Sequence, residues 1–378
     1  MKQLCSLNNF LTEYNEKNID NRYRPVAVGR YGIRTRESIY SKELAKDYSK
    51  NKLIYKNTLT VGMGSVQIDI GILTDDVVFS VSPAYHTYKV TGINSEYLRY
   101  CLECRNQDMF VRYVKRGSRQ GKTIDLKRWL TYEIPVYDDD MQAEIVDKLD
   151  RVASLINNHQ QQLQKLDELV KSRFIELFGD PETNPYGWEH VTVDDICSSI
   201  VRGPFGSALK KEFFVEPSES TYKVYEQKHA IQKSATIGTY YVTKEKYQEL
   251  RKFECVSGDI LMSCSGTMGE LYQLPENCER GIINQALCKF TLNDKMLPIC
   301  FLTYMKQTIG NLETKGSGIK NIAAVSYVKA MPINLPPMYI QKEFENFVEQ
   351  VDKSKLAVQQ GLEKLETLKK SLMQQYFG

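Results

Sequence analysis

The sequence predicts an α+β protein with two globular mixed α/β domains, separated by two long antiparallel helices that form a coiled-coil-like spacer. Three observations lead to this fold class. Residues 141–179 and 340–378 both carry apolar residues at alternating steps of three and four, the spacing of a helix that buries a narrow stripe against another helix. The two stretches align without a gap. Finally, 378 residues suffice for two domains of ordinary size.

The first helix is predicted from its apolar periodicity and from a clear stop. No Pro or Gly interrupts the stretch before Gly179, which is followed by Asp180 and Pro181, and Gly followed by Pro ends helices. At about 1.5 Å per residue the helix would be roughly 55 Å long, and an exposed helix of that length needs a partner. The residues predicted to form the helix–helix contact are Leu149, Val152, Ile156, Leu163, Leu166, Val351, Val358, Leu362, Leu365 and Leu372.

The second helix repeats the first at a constant offset of 199 residues, the difference between positions 340 and 141. The offset pairs Leu163 with Leu362 and Phe178 with Phe377. A period near 200 residues is too long for a solenoid unit and suits one domain plus one helix. The sequence therefore predicts a pseudo-twofold internal repeat with domain 1 at 1–140, a central helix at 141–179, domain 2 at 180–339 and a C-terminal helix at 340–378.

Composition narrows the class of protein. Hydrophobic content of 42% and charged content of 26% are globular values. No apolar run approaches the length of about 20 residues that spans a membrane, and the first residues do not form a signal peptide. Nine scattered cysteines suit a reducing compartment. We therefore expect a cytoplasmic protein with no membrane partner and no metal site.

Two basic segments stand out in the first domain. Residues 22–42 interleave Arg with Tyr, and residues 110–129 combine Arg and Lys with Gly117 and Gly121. Such surfaces neutralise phosphates and offer planar donors to base edges, although a solvated basic loop has the same composition. The predicted DNA-contacting residues here are Arg34, Arg36, Arg116, Ser118, Arg119, Gln120 and Lys122.

The second domain repeats the landmarks of the first. A strand, a Gly-rich turn and a second strand surround Gly64, and the same pattern surrounds Gly266. Residues 202–207 form a further Gly-rich basic loop, but no Gly-Lys-Ser/Thr closes it as in a nucleotide-binding P-loop. The predicted DNA-contacting residues in this domain are Arg202, Ser207, Lys210, Lys228, Lys315, Ser317, Lys320 and Asn321.

Catalytic motifs are missing. The four histidines form no HExxH motif, and neither GxSxG nor a GxGxxG after a strand occurs. The segment LPPM at 335–338 differs from the Asn-Pro-Pro-aromatic motif of amino-group DNA methyltransferases, because Leu335 replaces the amide that orients the target nitrogen. The sequence therefore predicts a chain without an active site of its own.

The chain resembles the DNA-specificity subunit of type I restriction–modification systems over essentially its whole length. Two dissimilar units, each followed by a long helix with a similar, nearly repeated sequence, carry this resemblance. The first half departs from the pattern, since Pro135 is followed by Val136 and not by a second Pro. The short motifs that support the resemblance are LFGDP at 177–181, NP at 184–185, GW at 187–188, GDIL at 258–261 and LPP at 335–337.

The resemblance implies a non-catalytic subunit with two target-recognition domains. Each would read one half of a bipartite, asymmetric sequence in double-stranded DNA, while the helices set the spacing and dock two methyltransferase subunits. Restriction endonuclease/translocase subunits would complete the complex. No cofactor would bind this chain, and S-adenosylmethionine would bind the methyltransferase. The alternatives are a coiled-coil scaffold with two protein-binding domains, or a fused restriction–methylation enzyme.

Overall fold

The protein divides into two compact units in a computed structural model that describes residues 2–30, 32–39, 45, 47–117, 121–314 and 324–378. Within these ranges, the side chains of 116, 117 and 310–314 are not described. Unit 1 comprises Met1–Gln161 and Val358–Gly378, and unit 2 comprises Gln162–Ala357. Both long helices therefore contribute one half to each unit.

The described part of unit 1 contains twelve strands and two helices of its own, and the first long helix begins in it. The strands are β1 (Gln3–Ser6), β2 (Leu11–Tyr14), β3 (Val26–Gly29), β4 (Gly32–Thr35), β5 (Lys52–Ile54), β6 (Thr58–Met63), β7 (Ile68–Leu73), β8 (Phe79–Val81), β9 (His86–Val90), β10 (Val114–Gly117), β11 (Gly121–Ile124) and β12 (Glu133–Val136). The helices are α1 (Ser95–Tyr113), α2 (Leu126–Trp129) and the first half of α3 (Asp139–Phe178).

An antiparallel four-stranded sheet in the order β2-β9-β6-β7 forms the centre of unit 1. Alternating residues of β6, such as Leu59 and Val61, are fully buried against α1. Helix α1 begins where the Asn94 side chain accepts hydrogen bonds from the backbone N–H groups of Glu96 and Tyr97, which satisfies two otherwise unpaired donors. A second layer pairs β3 with β4 and β5 with β8, and a parallel bridge between Pro25 and Ser80 joins the two pairs.

Unit 2 contains ten described strands and four helices of its own, and the second long helix begins in it. The strands are β13 (Glu189–Thr192), β14 (Cys197–Arg202), β15 (Tyr222–Tyr225), β16 (Tyr241–Val242), β17 (Glu254–Cys255), β18 (Ile260–Ser263), β19 (Leu271–Gln273), β20 (Gly281–Ile283), β21 (Leu287–Leu292) and β22 (Pro332–Leu335). The helices are α4 (Gln227–Ile231), α5 (Lys244–Glu249), α6 (Pro298–Thr314), α7 (Val325–Lys329) and the first half of α8 (Met338–Phe377).

Unit 2 repeats the sheet topology of unit 1. Its central sheet has the order β14-β21-β18-β19, which matches β2-β9-β6-β7 strand for strand, and its pair β13–β22 matches β1–β12. Its second sheet, β16-β15-β20-β17, is also joined in the middle by a parallel pair. In this order it corresponds to β4-β3 and β8-β5 of unit 1. The predicted internal repeat is therefore confirmed at the level of strand order.

The two long helices run antiparallel within each unit. In unit 1, Ile145 and Leu149 of α3 share a core with Met373 and Phe377 of α8, whereas His159 lies beside Gly361. As the residue number increases along α3, the residue number of its contact partner on α8 decreases. In unit 2, the Lys355 ammonium lies 2.7 Å from the Asp167 carboxylate, and the rings of Phe174 and Phe344 lie 5.4 Å apart. The predicted antiparallel helices are thus confirmed.

The predicted contact residues follow the burial pattern of both helices. Four of them are buried and six are half-buried; the buried ones are Leu149, Val152, Val351 and Leu362. Helix α3 ends at Phe178, and Gly179 adopts a positive φ of +78°, a conformation that Gly adopts without strain.

No helix in the described part of the chain is long and apolar enough to cross a bilayer.

Candidate nucleic-acid interface

One edge of the central sheet in each unit collects the turns that the sequence singled out. In unit 1 the register places Tyr14 opposite Thr87 and Met63 opposite Ile68. The loop after β2, the β6–β7 turn and the β8–β9 turn therefore leave the sheet at the same edge, since neighbouring antiparallel strands reverse direction. We call this the turn edge of unit 1. The turn edge of unit 2 comprises the loop after β14, the β18–β19 turn and the β20–β21 turn, by the register of Arg202 with Cys288 and Ser263 with Leu287.

Lys122 connects the β10–β11 hairpin to the turn edge of unit 1. Its ammonium donates to the Ser65 carbonyl in the β6–β7 turn and lies 5.3 Å from the centre of the Phe110 ring. The basic segment 110–129 and the Gly-rich turn are therefore neighbours in the fold. Arg116 lies opposite Lys122 in the hairpin register. Ser118, Arg119 and Gln120 lie outside the described residues.

A cleft of about 730 Å³ lies between the β3–β4 hairpin, strand β7 and helix α1. Arg30 and Arg34 line it from the hairpin and Gln67 lines it from the β7 side. Arg99 lines it from α1, and its guanidinium lies 2.5 Å from Glu96 and 3.7 Å from Asp150. The cleft thus presents guanidinium and amide donors, the groups that pair with phosphates and base edges, and the carboxylates of Asp75 and Glu103 also line it.

Arg34 and Arg36 differ in their surroundings. Arg34 is exposed on β4 and lines the cleft. Arg36 is half-buried, with its guanidinium 5.2 Å from the centre of the Tyr48 ring. Stacking on an aromatic ring fixes the plane of a guanidinium, so Arg36 is held in place more firmly than its position in a basic segment suggested.

Arg202 acts as a structural tie in unit 2. Its Nε donates to the Gln285 carbonyl at 3.2 Å and its Nη2 donates to the Cys264 carbonyl at 3.4 Å. One side chain thereby holds together all three connections of the turn edge. The sequence suggested Arg202 as a DNA donor, but these two N–H groups are already used by backbone carbonyls.

The remaining predicted residues of unit 2 separate into two groups. Ser207 is exposed on the loop after β14, and Lys210 lies 3.6 Å from Glu212. Lys228 lies 2.6 Å from the Glu226 carboxylate and 5.3 Å from the centre of the Tyr240 ring. The second group lies outside the described residues and comprises Lys315, Ser317, Lys320 and Asn321.

A buried histidine supports the turn edge of unit 2 from below. His229 is fully buried; its Nδ1 lies 2.8 Å from the Glu226 amide nitrogen and its Nε2 lies 2.7 Å from the Ile237 carbonyl. This pattern fits a neutral imidazole that carries its proton on Nε2. Burial lowers the pKa of His229 below its usual value. Gln227, two residues earlier, lies against Gly266 at the tip of the β18–β19 turn.

Several exposed residues of the turn edges were not predicted. Thr267 and Gln285 are exposed at the tips of two turns of unit 2, and Phe205 is exposed on the loop beside them. The signal that could have found them is strand register, which places these three turns at one edge. The predicted set drew its residues from basic and Gly-rich segments, so it did not include Thr267 and Gln285, whose uncharged side chains can also read bases.

The described residues contain no group of three or more His, Cys, Asp or Glu side chains that could hold a metal ion. The two turn edges instead combine cations, amides, hydroxyls and glycine-rich backbone. Cations bind phosphates without regard to sequence, whereas amides and hydroxyls distinguish bases. This combination suits recognition of a nucleic acid.

Comparison with known proteins agrees with this chemistry. The family model described as "Type I restriction modification DNA specificity domain" matches twice, at residues 8–168 and 185–369. A structure described as "Crystal structure of Type-I restriction-modification system S subunit from M. genitalium" is similar with a TM-score of 0.53 at 13% identity, covering 100% of this chain and 96% of that chain.

A second structure is described as "Structural basis underlying complex assembly and conformational transition of the type I R-M system". It is similar with a TM-score of 0.62 at 14% identity, covering 99% of this chain and 97% of that chain. These similarities show the fold, and the two family matches coincide with the repeat seen in the strand order. The chain therefore belongs to the type I restriction–modification DNA specificity family and is a DNA-specificity subunit with two specificity domains.

Proposed function

We propose that each unit reads one half of a bipartite, asymmetric DNA target, and that the helices set the number of unread bases between the halves. The observation that carries this proposal is the repetition of one strand order beneath two turn edges with different side chains. Two units with the same strand order but different side chains at their turn edges are suited to reading two different half-sites. Half-sites one helical turn apart are about 34 Å from each other, a separation within the length that helices of 40 residues can span.

We also propose that the catalytic steps belong to partner subunits. Two methyltransferase subunits would dock on the helices and bind S-adenosylmethionine, and restriction endonuclease/translocase subunits would join them. What supports this division of labour is the match of both halves of the chain to a DNA specificity domain, together with the donors for DNA that the turn edges offer. The predicted domain boundaries at 140, 179 and 339 and the predicted contact residues are part of this proposal.

Lengthening the helices tests the spacer function. Inserting four residues after Gln161 adds about 6 Å of helix, and we expect the unread spacer of the target to lengthen while both half-site sequences stay the same. The measurement is sequencing of methylated bases in the genome of cells that carry the altered subunit. A matched variant with a second insertion after Gln360, the repeat-equivalent position, restores equal helix lengths and should give the same longer spacer at higher occupancy.

The result that contradicts the proposal is a methylated motif whose spacing is unchanged in both insertion variants. A motif that is contiguous in the parent strain would contradict it more broadly, since two reading units would then have no separate half-sites.

A further inference from the structure

Phe205 is a large apolar side chain held at the surface of unit 2. It is 68% exposed on the loop after β14, in the turn edge of that unit. Single exposed apolar residues are common on protein surfaces and by themselves need no explanation. Three features of this one together call for an explanation: its backbone is fixed, its ring lies beside a fixed cation, and its surroundings are polar.

The backbone on the N-terminal side of Phe205 is tied to the sheet. Gly203 and Pro204 are buried, and the Gly203 N–H donates to the Leu287 carbonyl at 3.0 Å. A Cβ at position 203 would lie 1.9 Å from the Asn284 carbonyl oxygen, so the loop packs directly on the β20–β21 turn. Gly206 follows with a positive φ of +68°. The ring is therefore displayed from a defined backbone, which lowers the entropic cost of using it as a contact.

A fixed guanidinium supports the ring. Arg202 lies 5.3 Å from the centre of the Phe205 ring, and the carbonyls of Gln285 and Cys264 hold that guanidinium in place. A cation–π interaction of this kind favours one orientation of the ring. Arg202 therefore acts as a positioning residue for Phe205.

The chemistry around Phe205 matches one kind of partner. Ser207, Lys210 and Lys211 are exposed next to it in the chain, and Thr267 and Gln285 are exposed at the same turn edge. A protein partner's apolar core would not match a surface of lysines, hydroxyls and amides. DNA presents phosphates for the lysines and apolar base surface for the ring.

Unit 1 displays an apolar residue in the equivalent loop. Ile19 is 77% exposed in the loop after β2. The neighbouring Asn18 is buried and ties this loop to the rest of the unit, with its N–H donating to the Asn51 carbonyl at 2.8 Å. An exposed apolar side chain on an anchored loop therefore occurs in both copies of the repeat.

We propose that Phe205 contacts the apolar surface of a base and determines specificity at one position of the half-site read by unit 2. The base surface would be either the methyl group of a thymine in the major groove or the face of a base at a step opened by the ring. This inference rests on the proposed function, because it needs unit 2 to read a half-site.

The test uses methylated-base sequencing of cells that carry the whole system with Phe205→Ala. We expect discrimination to relax about tenfold or more at one position, or two adjacent positions, of one half-site, while the other half-site and the spacer stay the same. Phe205→Leu keeps an apolar side chain and should relax the position less. The matched control is Val77→Ala, which shortens an apolar residue that is 42% exposed beside Asp75 and Asp76, where the charge repels phosphates.

The two sources of base surface are separated with the purified complex and a duplex of the methylated sequence. Uracil in place of thymine at the relaxed position should weaken binding of the parent complex, and not of the Phe205→Ala complex, if the methyl group is read. 2-Aminopurine at that position should brighten on binding of the parent complex only, if the step is opened. If neither substitution distinguishes the two complexes, the proposal is wrong.

Two further outcomes overturn the inference. An unchanged motif and occupancy in Phe205→Ala cells would show that the ring reads nothing. An equal loss of methylation at all sites with an unchanged motif would show that Phe205 serves folding or assembly. Failure of the proposed function is distinguishable from both, because it appears in the parent strain as a motif without two half-sites.

Discussion

Unit 1 and unit 2 share their sheets and differ in the connections between strands. Unit 1 joins β3 to β4 by a hairpin in which Gly29 lies opposite Gly32, whereas unit 2 inserts helix α4 between β15 and β16 and helix α5 between β16 and β17. Strand order survives this difference because buried strand residues such as Leu59 and Leu261 specify it. The helical connections of unit 2 add buried residues of their own, such as Ala230 and Tyr247, without changing that order. A specificity protein can therefore change its reading surface without changing its frame.

The ends of the long helices show the same contrast in the core. At the offset of 199 residues, Phe344 of unit 2 corresponds to Ile145 of unit 1, and Phe174 corresponds to Met373. In unit 2 the rings of Phe174, Phe178 and Phe344 contact one another at centroid distances of 4.3 to 5.6 Å. Unit 1 has Ile145, Met373 and Phe377 at the equivalent positions, so only one of the three is aromatic. Equivalent positions are therefore buried in both units, but side chains of different shape fill them.

The largest expected effect follows from this aromatic cluster. Phe344→Ala should lower the free energy of unfolding of unit 2 by about 3–5 kcal/mol, because it leaves a cavity between two rings. Denaturant unfolding with hydrogen exchange of the full chain measures the loss and locates it. Ile145→Ala is the matched variant, and it should reduce protection in unit 1. Equal loss of protection in both units from either variant would contradict the separation into two compact units.

A smaller loss in the free energy of unfolding is expected where the loop after β14 packs on the β20–β21 turn. Gly203→Ala places a methyl group against the Asn284 carbonyl and should cost about 1–3 kcal/mol, the usual range for overpacking. Gly29 of unit 1 serves as the control, because a Cβ added there would meet no atom within 4 Å and its φ is not in the left-handed region. Gly29→Ala should therefore change stability by no more than about 0.5 kcal/mol.

Both glycine variants are compared by denaturant unfolding and by methylated-base sequencing. Gly203→Ala should also relax the half-site read by unit 2, since it displaces the loop that carries Phe205. A parent-like stability for Gly203→Ala would show that the loop after β14 can move away from the β20–β21 turn without cost.

The smallest expected effect is a pH dependence confined to unit 2. Burial lowers the pKa of His229 below 6.5 in the folded state, so the unfolded chain binds the proton more tightly. Stability is therefore fully present above about pH 6.5 and is lost as the pH falls from there through the folded pKa. His229→Gln cannot take up this proton, and its unfolding midpoint should fall less steeply between pH 6.5 and 5. Parallel pH profiles for the two proteins would contradict this account.

His86 is the histidine of unit 1 to compare with His229. His86 lies at the edge of the central sheet, half exposed, with Nδ1 3.2 Å from the Glu13 carboxylate. Its ring contacts solvent, whereas the ring of His229 is fully buried. We therefore expect hydrogen exchange at low pH to rise first in the segments around α4 of unit 2.

Local patterns in the sequence determined much of this protein. The heptad spacing and the gapless repeat predicted α3 and α8 nearly to their ends, because helix periodicity depends only on residues three and four positions apart. The glycine-centred patterns around Gly64 and Gly266 predicted a strand, a turn and a strand in both units. The short motifs predicted the family, which the matches at 8–168 and 185–369 confirm.

Only the tertiary structure decided which side chains remain available at the turn edges. Arg202 lies in a Gly-rich basic segment and was therefore predicted to contact DNA. In the structure, carbonyls 62 and 83 positions away in the chain accept two of its hydrogen bonds. Phe205 looked unremarkable in the sequence, yet the buried Gly203 and the fixed guanidinium display its ring at the surface. Such roles depend on contacts between strands that are distant in the chain, and no local pattern encodes which donors those contacts consume.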